Sequence, residues 1–162
     1  MFEQVSRLVG LDGFVVTDLR ERDDGFELEV ELVAVTTSCC FCSSGRIELK
    51  ERPRRLVRDL PLAGRCLTLV WRKRRFRCQR CGRSFSETHP GLPPRQRVSE
   101  RFRAHLFQRL RGGAARLEVA REEQTSRYQV GRAFRLGAAR ELAGRARPLA
   151  RRVCPILCVG RA

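Results

Sequence analysis

The sequence predicts an α+β chain, a small β-rich zinc-ribbon-like module followed by a helical helix-turn-helix segment, and three observations predict it. Residues 26–35 alternate apolar with acidic side chains. Two Cys-x-x-Cys pairs, Cys39/Cys42 and Cys78/Cys81, bracket further strand-like stretches. Beyond Pro90, Pro93 and Pro94 the apolar spacing changes to three and four residues. A period of two buries one face of a strand, and three-to-four spacing buries one stripe of a helix.

The first element is a hairpin. Residues 14–22 and 26–35 flank Asp23-Asp24-Gly25, and the second run sets Phe26, Leu28, Val30 and Leu32 against Glu27, Glu29 and Glu31. Asp-Gly between two such runs is a turn signal. Residues 39–45 (CCFCSSG) form a tight cysteine turn. A short strand at 56–60 ends at Pro61, and a longer one over 66–77 puts Leu67, Leu69 and Trp71 on one side. The Pro/Gly cluster reads as a linker. A helix then starts at Ser99 as cap, carries Val98, Phe102, His105, Leu106 and Leu110 on its apolar stripe, and closes at Gly112-Gly113. Two more helices, 114–123 and 126–143, are joined by Gln124-Thr125. The expected segments are an acidic hairpin leader (1–38), a zinc-binding ribbon (39–89), a Pro-rich linker (90–97), a helix-turn-helix segment (98–143) and an irregular tail (144–162).

Charge points to the partner. The 162 residues carry 34 basic against 18 acidic side chains, a net charge of +16. The imbalance is local: residues 1–38 hold nine acidic and three basic side chains, so the whole surplus lies from Cys39 onward. Arg accounts for 32 of the 34, a bias that base composition can produce, but base composition does not produce the excess over acid. A surplus of this size fits a polyanion, nucleic acid before membrane. No apolar run approaches the ~18 residues of a spanning helix, and residues 1–11 lack a secretory pattern. The expectation is a cytoplasmic, nucleoid-associated protein whose eight cysteines serve as metal ligands before disulfides.

Cys39, Cys42, Cys78 and Cys81 are the predicted metal ligands. A Cys-x-x-Cys turn offers two sulfurs to one edge of a tetrahedron, and two such turns close it around Zn2+. Four protein thiolates leave no open position for water, so the zinc is expected to be structural. Gly82 suits the turn after Cys81. Ser43 takes the matching place in the first pair, where Cys40 is an alternative ligand. Cys66 reads as a core residue, and Cys154 and Cys158 have no matching pair.

Two segments are expected to touch DNA. Arg72, Lys73, Arg74, Arg75, Arg77 and Arg80 crowd the second cysteine pair and suit phosphate contact; the competing reading is a charged edge strand. Residues 116–135 fit a helix-turn-helix frame, with Ala120 at the close approach of two helices and Val130 packing from the second. Gln124 replaces the usual glycine of the turn, and Glu123 takes a usually apolar place. In that frame Ser126, Arg127, Tyr128 and Gln129 open the second helix toward the major groove. An ordinary αα-hairpin is the alternative.

The order of these features resembles a known group. The cysteine turn is followed by Arg58-Asp59-Leu60-Pro61-Leu62-x-Gly64, then Arg74-Arg75-Phe76-Arg77-Cys78-x-x-Cys81-x-x-Ser84-Phe85-x-Glu87. The run over roughly 25–140 resembles the amino-terminal region of bacterial insertion-sequence transposases of the ISL-three group. That resemblance implies double-stranded DNA at transposon ends, the terminal inverted repeats, as target, with a second copy or an intact transposase as protein partner. It also implies a DDE catalytic core downstream. No Asp or Glu follows Glu141, so the expectation is a truncated transposase that binds without catalysing transposition. Competing readings are an RNA-binding zinc ribbon and a protein-interaction regulator of an intact transposase.

Overall fold

The computed structural model describes residues 10–152, with side chains through 144. The chain divides into two compact units, 1–102 and 103–162. Seven strands and the start of the first helix belong to the first unit: β1 (Phe14–Arg22), β2 (Gly25–Leu32), β3 (Ile47–Glu51), β4 (Arg54–Leu62), β5 (Arg65–Arg72), β6 (Arg75–Cys78), β7 (Ser84–Ser86) and α1 (Glu100–Arg111). They form two sheets, a four-stranded one in the order β1-β2-β5-β4 and a three-stranded one in the order β3-β6-β7.

The division expected at Cys39 is therefore not a boundary in the fold. A lone hairpin is marginal in water, and β1–β2 needs a neighbour to cover its apolar stripe. β5 supplies it by pairing parallel to β2, with Leu28 opposite Leu69 and Val30 opposite Trp71. Leu28, Val30, Leu32, Val57, Leu67, Leu69 and Trp71 join Phe14, Val16 and Leu92 in one buried core. The glutamates of β2 face the other way and meet arginines from later strands. Glu29 takes Arg72 at 2.5 Å and Glu31 takes Arg52 at 3.3 Å. Part of the basic surplus after Cys39 thus neutralises the acidic leader.

The hairpin expected at 23–25 forms, but Gly25 serves a different purpose. Arg22 pairs with Gly25, leaving Asp23 and Asp24 as the turn. A Cβ at Gly25 would overlap the Cys66 carbonyl of β5, so glycine is required by the parallel neighbour rather than by the bend. The other tight turn, Ala63-Gly64, has both residues left-handed (φ 50° and 74°), as a two-residue hairpin loop demands. Its presence lets β4 run through Pro61 to Leu62 at the sheet edge, where a missing N–H is tolerated. The stretch 66–77, expected as one strand, is two strands in different sheets, broken at Lys73-Arg74.

Residues 90–97, expected as a linker, are packed down. Leu92 is 1% exposed, and the Arg55 guanidinium donates to the carbonyls of Leu92 (3.0 Å), Pro93 and Gln96 (2.7 Å). Five donors in a rigid fork suit this gathering of carbonyls. Next, the Arg58 N–H donates to the Arg97 carbonyl and the Ser99 N–H donates to the Arg58 carbonyl, at 2.8 and 2.9 Å. Asp59, fully buried, accepts from Ser99 Oγ at 2.6 Å and from Arg101 Nε at 2.8 Å. Ser99 Oγ also caps α1, accepting from the Phe102 N–H at 3.1 Å, as the sequence suggests.

The second unit holds the rest of α1 with α2 (Arg116–Glu122) and α3 (Arg127–Arg152). Val119, Ala120, Val130 and Ala133 are buried where α2 meets α3. The α2 end is a Schellman arrangement. Gln124 is left-handed (φ 46°), its N–H donates to the Arg121 carbonyl at 3.2 Å, and the Thr125 N–H reaches Ala120 at 3.0 Å. Ser126 Oγ caps α3 through the Gln129 N–H at 3.2 Å. Glu123, at the position expected to be apolar, is a buried carboxylate held by His105 Nε2 at 2.6 Å and Arg109 at 3.1 Å. His105, expected as a core histidine, is instead a half-exposed donor to it. A Cβ at Gly137 would overlap the Phe107 ring, so α1 and α3 approach at a glycine. The tail expected to be irregular from 144 is helical to Arg152, because Ala, Leu and Arg favour helix without any amphipathic face. Residues 153–162, with Cys154 and Cys158, lie outside the described residues.

Candidate metal centre

The two cysteine turns have the same backbone. In the first, the Cys39 N–H donates to the Ser44 carbonyl and the Ser43 N–H to the Cys39 carbonyl, both at 2.9 Å. In the second, Cys78 donates to Arg83 and Gly82 to Cys78, again at 2.9 Å. Ser43 (φ 56°) and Gly82 (φ 71°) are both left-handed. The turn is thus fixed by hydrogen bonds around the first cysteine of each pair, and serine tolerates the conformation that glycine adopts freely. Gly82→Ala destabilises the metal-loaded protein by about 1 kcal/mol through strain alone, since nothing lies within 4 Å of the added Cβ. Ser43→Gly stabilises by a similar or smaller amount, about 0.5–1 kcal/mol, and denaturant melts of the two variants measure both signs.

The turns bring the predicted four sulfurs together. Cys39 Sγ lies 3.7 Å from Cys81 Sγ, Cys42 Sγ lies 3.6 Å from Cys78 Sγ, and all four fall within 4.8 Å of one another. A tetrahedron with Zn–S bonds of about 2.3 Å has edges of about 3.8 Å, so the donor set and its spacing fit a four-coordinate soft cation. Cys40 is exposed and stands outside the cluster, and Cys66 is buried in the sheet. Protonation is uneven. Backbone hydrogen bonding at Cys81, with a further contribution from Arg80, holds the Cys78 thiol down at about 7. At Cys42 a backbone bond at Ser44 is outweighed by burial and the three neighbouring sulfurs, which push its thiol up to about 11. A metal captured here therefore displaces protons, the Cys42 proton above all.

The ribbon around the site is small. β6 joins β3 and β7, and Phe76 stacks on Phe85 at 5.7 Å while Phe41 meets Phe85 edge to face at 6.4 Å. Of the ribbon strands' apolar side chains only Phe76 and Cys78 are buried, while Ile47 and Phe85 are half-buried and Leu49 is exposed.

The basic stretch 72–80 divides by role. Arg74 is withdrawn from the expected phosphate contacts because its guanidinium is occupied. It is mostly buried, bonds the Glu87 carboxylate at 2.7 Å, and donates to the carbonyls of Leu32 (3.1 Å) and Ala34 (2.5 Å). Arg72 pairs with Glu29, which raises its pKa, and Arg75 pairs with Glu51 at 2.7 Å. Lys73 lies 5.4 Å from the Trp71 ring centroid, and burial followed by Arg55 lowers its pKa. Arg77 and Arg80 are exposed, as are Arg46 and Arg83, which the sequence reading passed over; none of the four has a carboxylate partner among the described residues. Their common signal was proximity to the cysteine turns rather than to one another in the chain.

On the second unit, Arg127 and Tyr128 line an open concavity with Arg116 and Leu117, Ser126 acts as cap, and Gln129 is half-buried. Arg116 is an addition that no local pattern announces, whereas Leu117, expected as an apolar packing contact of the helix-turn-helix frame, is instead 45% exposed. No helix among the described residues is long and apolar enough to cross a membrane. No family model matches the chain, nor does any curated protein or solved structure.

Proposed function

We propose that the chain binds double-stranded DNA, with a structural zinc ion held by Cys39, Cys42, Cys78 and Cys81 and with α2–α3 acting as a helix-turn-helix. The observation that carries this reading is the concavity where Arg116 and Leu117 of α2 meet Arg127 and Tyr128 of α3. Two guanidiniums and a phenol beside the exposed start of a helix suit a phosphate backbone flanking an inserted helix end. The left-handed Gln124 supports it, since the turn between the helices takes the conformation for which such frames use glycine. The zinc supplies folding energy to a ribbon with little core of its own and fixes Arg46, Arg77, Arg80 and Arg83 around it. The resemblance to insertion-sequence transposases makes terminal repeats of a mobile element the target to try first, bound without cleavage.

The test is duplex binding across salt, followed by fluorescence anisotropy. Affinity should fall linearly on a log–log plot with a slope of roughly −4 or steeper, and the double variant Arg116→Ala, Arg127→Ala should weaken binding about tenfold or more. Structured RNA that displaces duplex DNA at equal concentration, or binding indifferent to salt, would overturn the proposal.

A further inference from the structure

Two exposed aromatics, Phe41 and Phe134, are left over by the duplex reading, and Phe41 is the more exposed. Phe41 sits inside the first cysteine turn, between Cys40 and Cys42, and is 52% exposed. Its backbone is fixed rather than loose, because its N–H donates to Cys39 Sγ at 3.4 Å and Cys39 belongs to the four-sulfur cluster. The Arg83 guanidinium lies 5.0 Å from the Phe41 ring centroid. The Arg46 backbone meets the second cysteine turn, its carbonyl accepting the Gln79 N–H at 2.9 Å next to Arg80 in the chain. Neither turn segment, 33–47 nor 73–86, contains an Asp or Glu. This end of the ribbon therefore presents a half-exposed ring beside Arg83, with exposed Arg46 and Arg80 on the same two acid-free segments.

Part of that charge answers the dianion that a divalent ion and four thiolates make together. Three guanidiniums exceed it, and the edge-to-face contact of Phe41 with Phe85 still leaves about half of the ring exposed. A lone exposed phenylalanine needs no explanation in general. One locked beside a metal centre and a guanidinium, in a chain with so few aromatics, has the parts of a stacking platform. Duplex DNA does not offer it a partner, since paired bases are stacked on both faces. An unpaired base does.

We propose that Phe41 stacks an unpaired base of single-stranded DNA, with Arg46, Arg80 and Arg83 holding the phosphates on either side. This rests on the nucleic-acid reading above but not on the helix-turn-helix. The chain would then read a frayed or single-stranded stretch with the ribbon and duplex with the helices.

The experiment uses the zinc-loaded full chain with a short oligothymidylate and a duplex of the same length. Trp71 is the one tryptophan and is fully buried, so an F41W variant adds a reporter over a constant background. Its emission should be quenched saturably by oligothymidylate. An F41L variant, which keeps apolar volume without a π-face, should bind oligothymidylate roughly tenfold more weakly and duplex unchanged. F41L binding the single strand as tightly as the parent overturns the proposal, as does F41W emission that stays constant while a labelled oligothymidylate is bound. Duplex bound with F41L indifferent leaves the duplex reading standing alone; single strand bound and weakened by F41L, with duplex unbound, does the reverse.

Discussion

Replacing Cys78 with serine abolishes metal binding and melts the three-stranded ribbon while leaving the four-stranded sheet folded. The two sheets draw on different sources of stability. The β1-β2-β5-β4 sheet has ten buried apolar side chains in one cluster. The ribbon has Phe76 and Phe85, with β3 exposed along nearly its whole length. In small metal modules of this kind, binding supplies about 10–16 kcal/mol, and without it the module does not fold. Hydrogen exchange should accordingly show protection lost over 47–51, 75–78 and 84–86, with Trp71 emission unchanged. Cys40→Ser is the matched control and should alter neither, since Cys40 lies outside the four sulfurs. Acid should act as the serine does. With its thiol near 11, Cys42 is protonated at neutral pH, and with its thiol near 7, Cys78 becomes protonated just below it. Each displaced proton then weakens metal binding about tenfold per unit fall in pH. Retention of one metal per chain in Cys78→Ser would show that the fourth ligand lies elsewhere.

The four cysteines were legible because their chemistry is written in short-range spacing. Choosing between Cys39 and Cys40 was not, since both lie close to Cys42 in the chain; the Ser43 N–H donating to the Cys39 carbonyl and the Cys39 N–H donating to the Ser44 carbonyl make that choice, and they depend on a left-handed serine. The hairpin 14–32 was legible from alternation, whereas the partner of β2 was not. Parallel pairing with β5 joins residues about forty apart, and nothing in a local period encodes which strand a stripe will meet. β3 and β7 were missed for a related reason. IELKE and SFS are short and mostly polar, and they become strands by pairing with β6 beside the four-cysteine cluster.

Charge was the least legible feature. In the sequence, Arg72, Arg74 and Arg77 are equivalent members of one basic run. In the fold, Arg72 answers Glu29, Arg74 is buried against Glu87, and Arg77 is left to solvent. The difference is made by carboxylates thirteen and forty-three residues away. Likewise Glu123, which departs from the apolar pattern of its frame, is accommodated only because His105 and Arg109 approach from α1. A run of arginine therefore reports the charge of a segment, and the fold decides which members are left without a carboxylate.

Arg101→Met should destabilise the first unit by about 3–5 kcal/mol, more than the reciprocal Asp59→Asn. Asp59 lies in the Arg-Asp-Leu-Pro-Leu segment of β4 with its side chain fully buried, whereas the Arg101 side chain is 28% exposed. Removing the arginine leaves a carboxylate with no water and only Ser99 Oγ to satisfy it. Desolvation of an unpaired charge is the large term here. Removing the carboxylate charge instead leaves a guanidinium that can turn toward solvent and still donate to the Gly10 carbonyl, now 3.0 Å away. The Asn side chain can continue to accept from Ser99. The loss extends beyond one ion pair, because Ser99 is the α1 cap and its Oγ is placed by Asp59. Denaturant melts followed by Trp71 fluorescence, a probe inside the affected core, should give the order wild type, Asp59→Asn, Arg101→Met. A double variant with leucine at 59 and methionine at 101 should recover much of the loss, since replacing both partners removes the buried charge as well as its counter-ion. Equal losses in the two single variants would mean that the pair is held by geometry rather than by the desolvation of Asp59.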